Sequence, residues 1–276
     1  MEEENNCLAV DEVSIITYRS FVLQGKIEGS DIVSYKDSKL NGVCQIRVAG
    51  EEGGRDKSRG TGFLCKINER YGLLTCYHVM ADIFRGASSE ANTDRIFLKF
   101  PTIDGEIPLS NILNANIAPI KDLFWDIYFG EISEKFKADI ESHQVKFSEP
   151  GININNNNMI WIPQYAGCKG ILQLSSGLLD YTFGSDSIFH KASTDTGSGG
   201  APLLQMFENE LRVIGMHKGH SPKGINMAIH IARILKCIPP NAVVGAASGS
   251  SEKPVEKPSE KQVKCMKLLI YTAEHY

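Results

Sequence analysis

From residue 42 onward, the chain is a succession of short strand-like segments separated by turn residues. Val43–Val48, for example, alternates apolar and polar side chains with a period of two, as a half-buried strand does. Short helices are predicted only at 79–84 and 232–237. Many short strands with few helical patterns favour an all-β fold built from barrels or a sandwich. The further predicted strands are 61–67, 73–77, 96–100, 127–129, 159–162, 170–174, 178–183, 201–206, 211–217 and 226–231.

The two ends of the chain have a different character. The first residues are polar and poorly periodic, although Val13–Tyr18 has a strand-like pattern. Residues 246–264 combine Ser, Glu, Lys and Pro, a composition typical of a disordered linker. The last segment, 265–276, is apolar again. We therefore expect extensions on both sides of the strand-rich part.

The composition of the chain indicates which classes of binding partner and which cellular compartment to expect. The 276 residues are 42% hydrophobic and 22% charged, with a net charge of −4, so nothing in the charge favours nucleic acid or an acidic membrane. No apolar run approaches the ~20 residues that span a bilayer, and the acidic N-terminus does not resemble a secretory signal. The seven cysteines are an odd number without CxxC spacing, which indicates free thiols in the cytosol or nucleus. A Cys65–Cys76 disulfide is the less favoured alternative.

The residues with the clearest chemistry are a serine, a histidine and an aspartate. Ser198 lies in a glycine-rich turn that leads into an apolar strand, a geometry in which backbone N–H groups converge near the serine oxygen. His78 ends a predicted strand upstream, and Asp126 precedes the apolar Ile-Tyr-Phe between them. The order His, Asp, Ser occurs in catalytic triads. Glycine-serine runs are also ordinary loops, and Asp122 competes with Asp126 for the acidic role.

Leu-Leu-Thr-Cys-Tyr-His-Val, Trp-Asp-Ile-Tyr-Phe and Gly-Ser-Gly-Gly-Ala-Pro together resemble the three signatures of trypsin-like serine peptidases, including the intracellular HtrA and FAM111 kinds. The resemblance covers about residues 42–240. It implies an all-β, chymotrypsin-like fold of two packed six-stranded antiparallel β-barrels with a short C-terminal helix. The implied organisation is an N-terminal extension over 1–38, a peptidase domain over 39–240 with barrels at about 39–135 and 150–240, a linker over 246–264 and a C-terminal segment over 265–276.

The same resemblance implies roles for the site residues. His78 would be the general base and then the general acid, Asp126 would orient it, and Ser198 would form the acyl-enzyme. The oxyanion hole would be built at Thr196, Gly197 and Ser198. Thr196 stands where the family usually has glycine, and the run Ser-Gly-Gly-Ala-Pro is one residue longer than usual. Gly197 replaces the acid that pairs with a freed N-terminus in the family, so activation by zymogen cleavage is not expected.

Specificity is indicated by the segment after the serine. Ala192 stands where trypsin has its pocket acid, so cleavage after Arg or Lys is not expected. Gly-Met-His-Lys-Gly resembles a segment of glutamyl endopeptidases and 3C-like proteases whose histidine binds Glu or Gln. By that resemblance His217 selects the substrate side chain, with Thr194 and Gly215 as further substrate-binding residues. The alternative is a partly exposed strand histidine, and His217 with His220 is a weak metal signal.

These patterns predict a serine endopeptidase that acts on a protein or peptide substrate, with no metal ion and no organic cofactor. The alternative is a catalytically impaired protease-fold protein that serves as a peptide-binding or interaction module. An α/β-hydrolase esterase does not fit, because that class requires the order Ser, Asp, His and a Gly-x-Ser-x-Gly elbow.

Overall fold

Two antiparallel β-sheets form the framework of the protein. The computed structural model describes residues 33–34, 40–49, 57–84, 93–142, 148–151, 154, 159–168, 170–183, 186–208, 210–220 and 225–240. The strands are β1 (Val33–Ser34), β2 (Val43–Val48), β3 (Lys57–Ile67), β4 (Arg70–Cys76), β5 (Ile96–Lys99), β6 (Ile107–Pro108), β7 (Ile120–Asp122), β8 (Ile127–Glu131), β9 (Met159–Gln164), β10 (Gln173–Phe183), β11 (Ser187–His190), β12 (Pro202–Phe207), β13 (Glu210–His220) and β14 (Asn226–His230). The helices are α1 (Tyr77–Phe84), α2 (Glu134–Ser142) and α3 (Ile231–Cys237).

The first sheet has the strand order β6-β5-β2-β3-β4-β8-β7. Its central hairpin joins β3 to β4 through Asn68 and Glu69, whose φ angles are 49° and 63°. Two consecutive positive φ values are typical of a hairpin turn whose twist matches that of the strands. Phe63, Leu73 and Leu74 of this hairpin are fully buried. The hairpin therefore holds the end of β4, where His78 follows, against a rigid core.

The second sheet closes on itself. Its order is β1-β10-β11-β14-β13-β12-β9, and β9 also pairs with β10, so β9 to β14 form a closed six-stranded barrel. The predicted strands 170–174 and 178–183 are one continuous strand here. The turn signal between them, Gly177, is explained by a close approach instead, because a Cβ atom at this position would lie 2.4 Å from the backbone nitrogen of Ala192.

The predicted all-β, two-barrel fold with a short C-terminal helix is thus confirmed. In the described residues the first sheet contains seven strands in an open order. Helix α2 lies in a segment for which the sequence pattern predicted no element. The predicted strand at 13–18, the linker and the C-terminal segment lie outside the described residues, and the domain boundaries stay predictions. None of the described helices is long and apolar enough to cross a membrane.

The two sheets meet around Thr61 of β3. Its hydroxyl donates to the carbonyl of Gly197 at 2.7 Å and accepts the N–H of Tyr165 at 3.0 Å. The Thr61 N–H donates to the Gly199 carbonyl at 2.9 Å. One buried side chain therefore joins the first sheet to the loop after β9 and to the Ser198 turn, which places that turn between the sheets.

Candidate active site

His78 and Asp126 form a bonded pair at the edge of the first sheet. Nδ1 of His78 lies 2.7 Å from Oδ2 of Asp126, and Oδ1 of Asp126 accepts the backbone N–H of His78, also at 2.7 Å. Asp126 is buried, whereas the His78 side chain is about half exposed at 52%. The carboxylate thus fixes Nδ1 as the nitrogen that points inward and leaves Nε2 on the side of the ring away from Asp126.

The local chain course explains this pairing. Strand β4 ends at Cys76, and α1 begins at Tyr77, whose N–H donates to the Asp126 carbonyl at 3.0 Å. Asp126 has a φ of 62°, a conformation that aspartate tolerates better than most residues and that turns its carboxylate toward the start of α1. The competing Asp122 instead accepts the Trp125 N–H at 2.9 Å and the Cys237 thiol at 3.4 Å, and among the described residues it has no hydrogen bond to His78.

Ser198 lies in a tight turn that only glycine permits on either side. Gly197 and Gly200 have φ angles of 91° and 85°. A Cβ atom at Gly200 would lie 2.1 Å from the carbonyl oxygen of Thr61, and one at Gly197 would lie 2.6 Å from that of Tyr165. The glycine-rich composition therefore has a steric cause, because the turn packs directly on the backbone of both sheets.

The backbone donors around Ser198 are engaged by Asp195. The Ser198 N–H donates to the Asp195 carbonyl at 3.0 Å, and the Thr196 N–H donates to Oδ1 of Asp195 at 2.6 Å. The Asp195 N–H in turn donates to Oγ of Ser198 at 3.0 Å. Two groups predicted for the oxyanion hole thus have internal acceptors, and a substrate oxygen must displace those acceptors to use them.

The structure brings His78 and Ser198 to the same place without a hydrogen bond between their side chains in the described part of the chain. The contact runs through the neighbouring glycine, since a Cβ atom at Gly199 would lie 2.9 Å from Nε2 of His78. Ser198 is fully buried. Catalytic hydrogen bonds are often long or absent without substrate and tighten in the Michaelis complex.

His217 lies directly behind this turn and pairs with a second histidine. Its backbone carbonyl accepts the Gly200 N–H at 2.8 Å, and its N–H donates to the Ala201 carbonyl at 2.8 Å. Its ring Nδ1 lies 3.2 Å from Nε2 of His190, and both rings are buried. Burial lowers the pKa of His190 to about 4. Burial and the nearby histidines lower the pKa of His217 as well, so both are neutral at neutral pH.

The other two predicted substrate-binding residues are placed differently. The Thr194 hydroxyl donates to Oδ1 of Asn226 at 2.9 Å, and Nδ2 of Asn226 donates to the Ala192 carbonyl at 2.8 Å, so Thr194 belongs to the network beside the histidine pair. Gly215 instead lies inside the barrel. A Cβ atom there would lie 2.6 Å from the Ile229 carbonyl oxygen, which indicates a packing role.

Cys76 completes the surroundings of the His78–Asp126 pair. Its thiol donates to the His217 carbonyl at 3.2 Å, and its sulfur lies within 4.8 Å of ligand atoms of His78 and Asp126. These three groups have the chemistry of metal ligands, but burial and the charge of Asp126 raise the pKa of the thiol and disfavour the thiolate that a metal requires. The described cysteines are free thiols, including Cys65 and Cys76, so the alternative of a disulfide between them is wrong.

The neutral histidine pair makes the fold sensitive to acid. Folded His190 takes up a proton near pH 4, whereas an unfolded histidine does so near pH 6.5. Between these values the unfolded state binds more protons, so stability falls as the pH is lowered through 6.5 toward 4. From His190 alone we expect the free energy of unfolding to fall by about 2 kcal/mol between about pH 7.5 and 5. Urea unfolding at both pH values measures this loss, which the variant His190→Phe should reduce; an equal loss in both proteins would contradict it.

Sequence reasoning missed His190 and Asp195. No strand was predicted at 187–190, because Ser-Ile-Phe-His does not alternate apolar and polar residues, although β11 places His190 on the same buried face as Ile188. Its pairing with His217 was not readable, since β14 lies between β11 and β13. For Asp195 the residue was visible inside the motif, but its hydrogen bonds depend on the conformation of the turn.

With the site defined, comparisons with known proteins place the fold. Protein-family profiles and curated protein sequences gave no match. A solved structure from work on the disordered VPg protein of Sesbania mosaic virus has a TM-score of 0.52 at 16% identity, covering 78% of this chain and 99% of that one. The active form of the Rv3671c protease from M. tuberculosis has a TM-score of 0.51 at 13% identity, covering 78% and 85%. The structure of a Glu endopeptidase has a TM-score of 0.48 at 17% identity, covering 74% of this chain and 93% of that one. At such identities the likeness is one of fold, and the protein has the fold of chymotrypsin-like serine proteases.

Proposed function

We propose that this protein is a serine endopeptidase that cleaves peptide bonds through Ser198, His78 and Asp126. The observation that carries the proposal is the His78–Asp126 pair beside the glycine-rich Ser198 turn, in which one carboxylate forms 2.7 Å hydrogen bonds with both the ring and the backbone of His78. A buried carboxylate on Nδ1 leaves Nε2 to accept a proton, which is the arrangement that activates a serine hydroxyl.

The chemistry follows from these positions. Nε2 of His78 takes the proton of the Ser198 hydroxyl as Oγ attacks the substrate carbonyl, and Asp126 stabilises the imidazolium that forms. His78 then returns the proton to the leaving amine, which yields an acyl-enzyme on Ser198. Water, deprotonated by the same nitrogen, hydrolyses the ester. No step in this scheme uses a metal ion or an organic cofactor.

The tetrahedral oxyanion requires donors that Asp195 occupies in the resting structure. Substrate binding would displace the Asp195 carboxylate from the Thr196 N–H and rotate the Asp195 carbonyl away from the Ser198 N–H. Each donor of this kind contributes about 3 kcal/mol to the transition state, which exceeds the net energy of about 1 kcal/mol for an ordinary hydrogen bond. The resting turn therefore slows the reaction without preventing it.

Replacing Asp195 should show this directly. Asp195→Gly removes the carboxylate that accepts the Thr196 N–H and eases a flip of the peptide plane between residues 195 and 196, so kcat/KM is expected to rise by roughly tenfold. Asp195 is exposed, and the substitution should leave folding intact. Asp195→Asn, which keeps an acceptor oxygen, is the matched control and should stay closer to the wild type. A lower rate in Asp195→Gly would contradict the inhibitory role of this side chain.

Substrate choice is assigned to His217, which lies behind the nucleophile turn and would hydrogen-bond a Glu or Gln side chain at the cleavage site. The neighbouring network of Thr194, Asn226 and the Ala192 carbonyl is neutral and offers hydrogen bonds but no charge. Such a pocket favours a side chain that can form hydrogen bonds over an aliphatic one.

A fluorophosphonate probe tests the proposal. Such a probe forms a covalent bond with a serine only where a base activates the hydroxyl. We expect labelling of the wild type, and none in Ser198→Ala or His78→Ala proteins that remain folded. Labelling that persists in either variant would overturn the assignment.

The second candidate function is a peptide-binding module without turnover. It is favoured by the same Asp195 contacts, because a turn that never releases the Ser198 and Thr196 N–H groups cannot stabilise an oxyanion. Under this alternative, peptides bind beside His217 while the probe labels neither the wild type nor the Asp195→Gly variant.

A further inference from the structure

Cys76 is a buried thiol beside the candidate triad that the proposed mechanism does not use. It is the last residue of β4, two positions before His78, and its side chain is fully buried. The thiol donates to the His217 carbonyl at 3.2 Å. Burial and the charge of Asp126 raise the pKa of the thiol, so it keeps its proton at neutral pH and remains a hydrogen-bond donor.

The acceptor of this bond also receives a donor from the nucleophile turn. The Gly200 N–H, two residues after Ser198, donates to the same His217 carbonyl at 2.8 Å. A carbonyl oxygen has two lone pairs and can accept both bonds. His217 itself is held within the closed barrel, where it pairs with Ala228 of β14. One carbonyl of β13 is therefore bonded both to the strand that leads into His78 and to the turn that carries Ser198.

The thiol has two further polar neighbours, Asp126 and the Gly200 N–H. The sulfur lies within 4.8 Å of a carboxylate oxygen of Asp126, which is a second possible acceptor for the thiol proton. Both oxygens of that carboxylate already accept N–H groups of His78 at 2.7 Å. The Gly200 N–H faces the sulfur as a donor, so it does not compete for the proton. The thiol proton is therefore directed to the His217 carbonyl, and the sulfur lies between the acid–base pair and β13.

The two halves of the candidate triad come from different sheets, so their separation depends on contacts between the sheets. Thr61 makes such contacts from β3 to the Ser198 turn. Cys76 makes the corresponding contact from β4, the strand that runs directly into the helix carrying His78. Proton transfer requires Nε2 of His78 to come within hydrogen-bond reach of Oγ of Ser198. A misplacement of about 1 Å can lower the rate about a hundredfold.

We infer that Cys76 is a positioning residue of the candidate active site, and that its hydrogen bond to β13 holds His78 at its working distance from Ser198. The inference rests on the proposed endopeptidase and adds a residue to its machinery. Because Cys76 is fully buried and acts through His78, its loss should affect the catalytic step more than substrate binding.

Turnover of a peptide substrate by Cys76→Ala tests the inference. We expect kcat to fall about tenfold with KM close to that of the wild type, because the base is misplaced while the surface that binds the peptide is unchanged. Cys76→Ser keeps a hydroxyl donor at the same place and should recover most of kcat. The matched control is Cys65→Ala, which removes a buried thiol of β3 whose pKa is raised by burial alone. It should lose stability but keep the wild-type kcat.

The infrared S–H stretching band tests the hydrogen bond in the resting protein. The band that Cys76→Ala removes should lie at a lower frequency than the band that Cys65→Ala removes, because donation to a carbonyl weakens the S–H bond. If Cys76→Ala does not fold, Cys76→Ser supplies this difference spectrum.

Three results would overturn the inference while leaving the proposed endopeptidase intact, provided that the wild type is active. They are an unchanged kcat in Cys76→Ala, a Cys76→Ser protein no faster than Cys76→Ala, and a Cys76 band no lower than that of Cys65. A folded wild type that neither cleaves peptides nor reacts with the fluorophosphonate probe would instead refute the endopeptidase, and the positioning role with it.

Discussion

Ser198→Ala is expected to abolish peptide cleavage, with kcat falling by about 10⁶, as in other serine triads. The effect is this large because the alanine has no hydroxyl to form the acyl-enzyme, and the remaining groups act as a unit that has lost its nucleophile. Turnover of a quenched fluorescent peptide measures the loss. Ser110→Ala, which removes an exposed hydroxyl in the helical turn after β6, is the matched control and should keep full activity.

The fold should not be affected by this substitution. The hydroxyl of Ser198 accepts one hydrogen bond, from the Asp195 N–H, and Asp195 is exposed to water that can replace it. Circular dichroism and thermal unfolding should therefore match those of the wild type. A folded Ser198→Ala protein that retains the wild-type rate would contradict the assignment of the nucleophile.

Asp126→Asn is expected to lower kcat by about 10⁴, by analogy with the same change in a known serine protease triad. The asparagine oxygen can still accept the backbone N–H of His78, but its amide then faces Nδ1 with a donor. His78 is held in the wrong tautomer, with its proton on Nε2, where it cannot accept one from Ser198. Asp122→Asn is the matched control because it keeps the acceptor for the Trp125 N–H, and it should lose little activity. Similar losses in both variants would mean that Asp126 acts through the fold and not through His78.

The residues of the candidate triad could be read from the sequence because each lies at a local boundary. His78 follows the apolar strand that ends at Cys76, and Asp126 precedes the apolar start of β8, so the apolar runs predicted both at strand ends and the family resemblance supplied their roles. Ser198 was marked by its glycines, whose positive φ angles and backbone contacts give that composition its cause.

What the sequence did not reveal depends on contacts between distant segments. Gly177 is a residue type common in turns, but it lies within β10, because the backbone of Ala192 leaves no room for a side chain there. His190 and His217 are 27 residues apart and are separated by β14, so no local pattern joins them. The Gly167 N–H donates to the Thr196 carbonyl at 2.8 Å, and the Thr61 hydroxyl donates to the Gly197 carbonyl. These two donors come from other elements and fix the turn in which Asp195 forms its hydrogen bonds.

The most direct test of the central claim is digestion of a mixed peptide library by the wild type beside Ser198→Ala, with the Asp195→Gly protein as a third sample. We predict cleavage by the wild type, faster cleavage by Asp195→Gly and none by Ser198→Ala, with the cuts concentrated after Glu or Gln. Absence of any Ser198-dependent cleavage from folded wild-type and Asp195→Gly proteins would contradict the endopeptidase and leave a peptide-binding module.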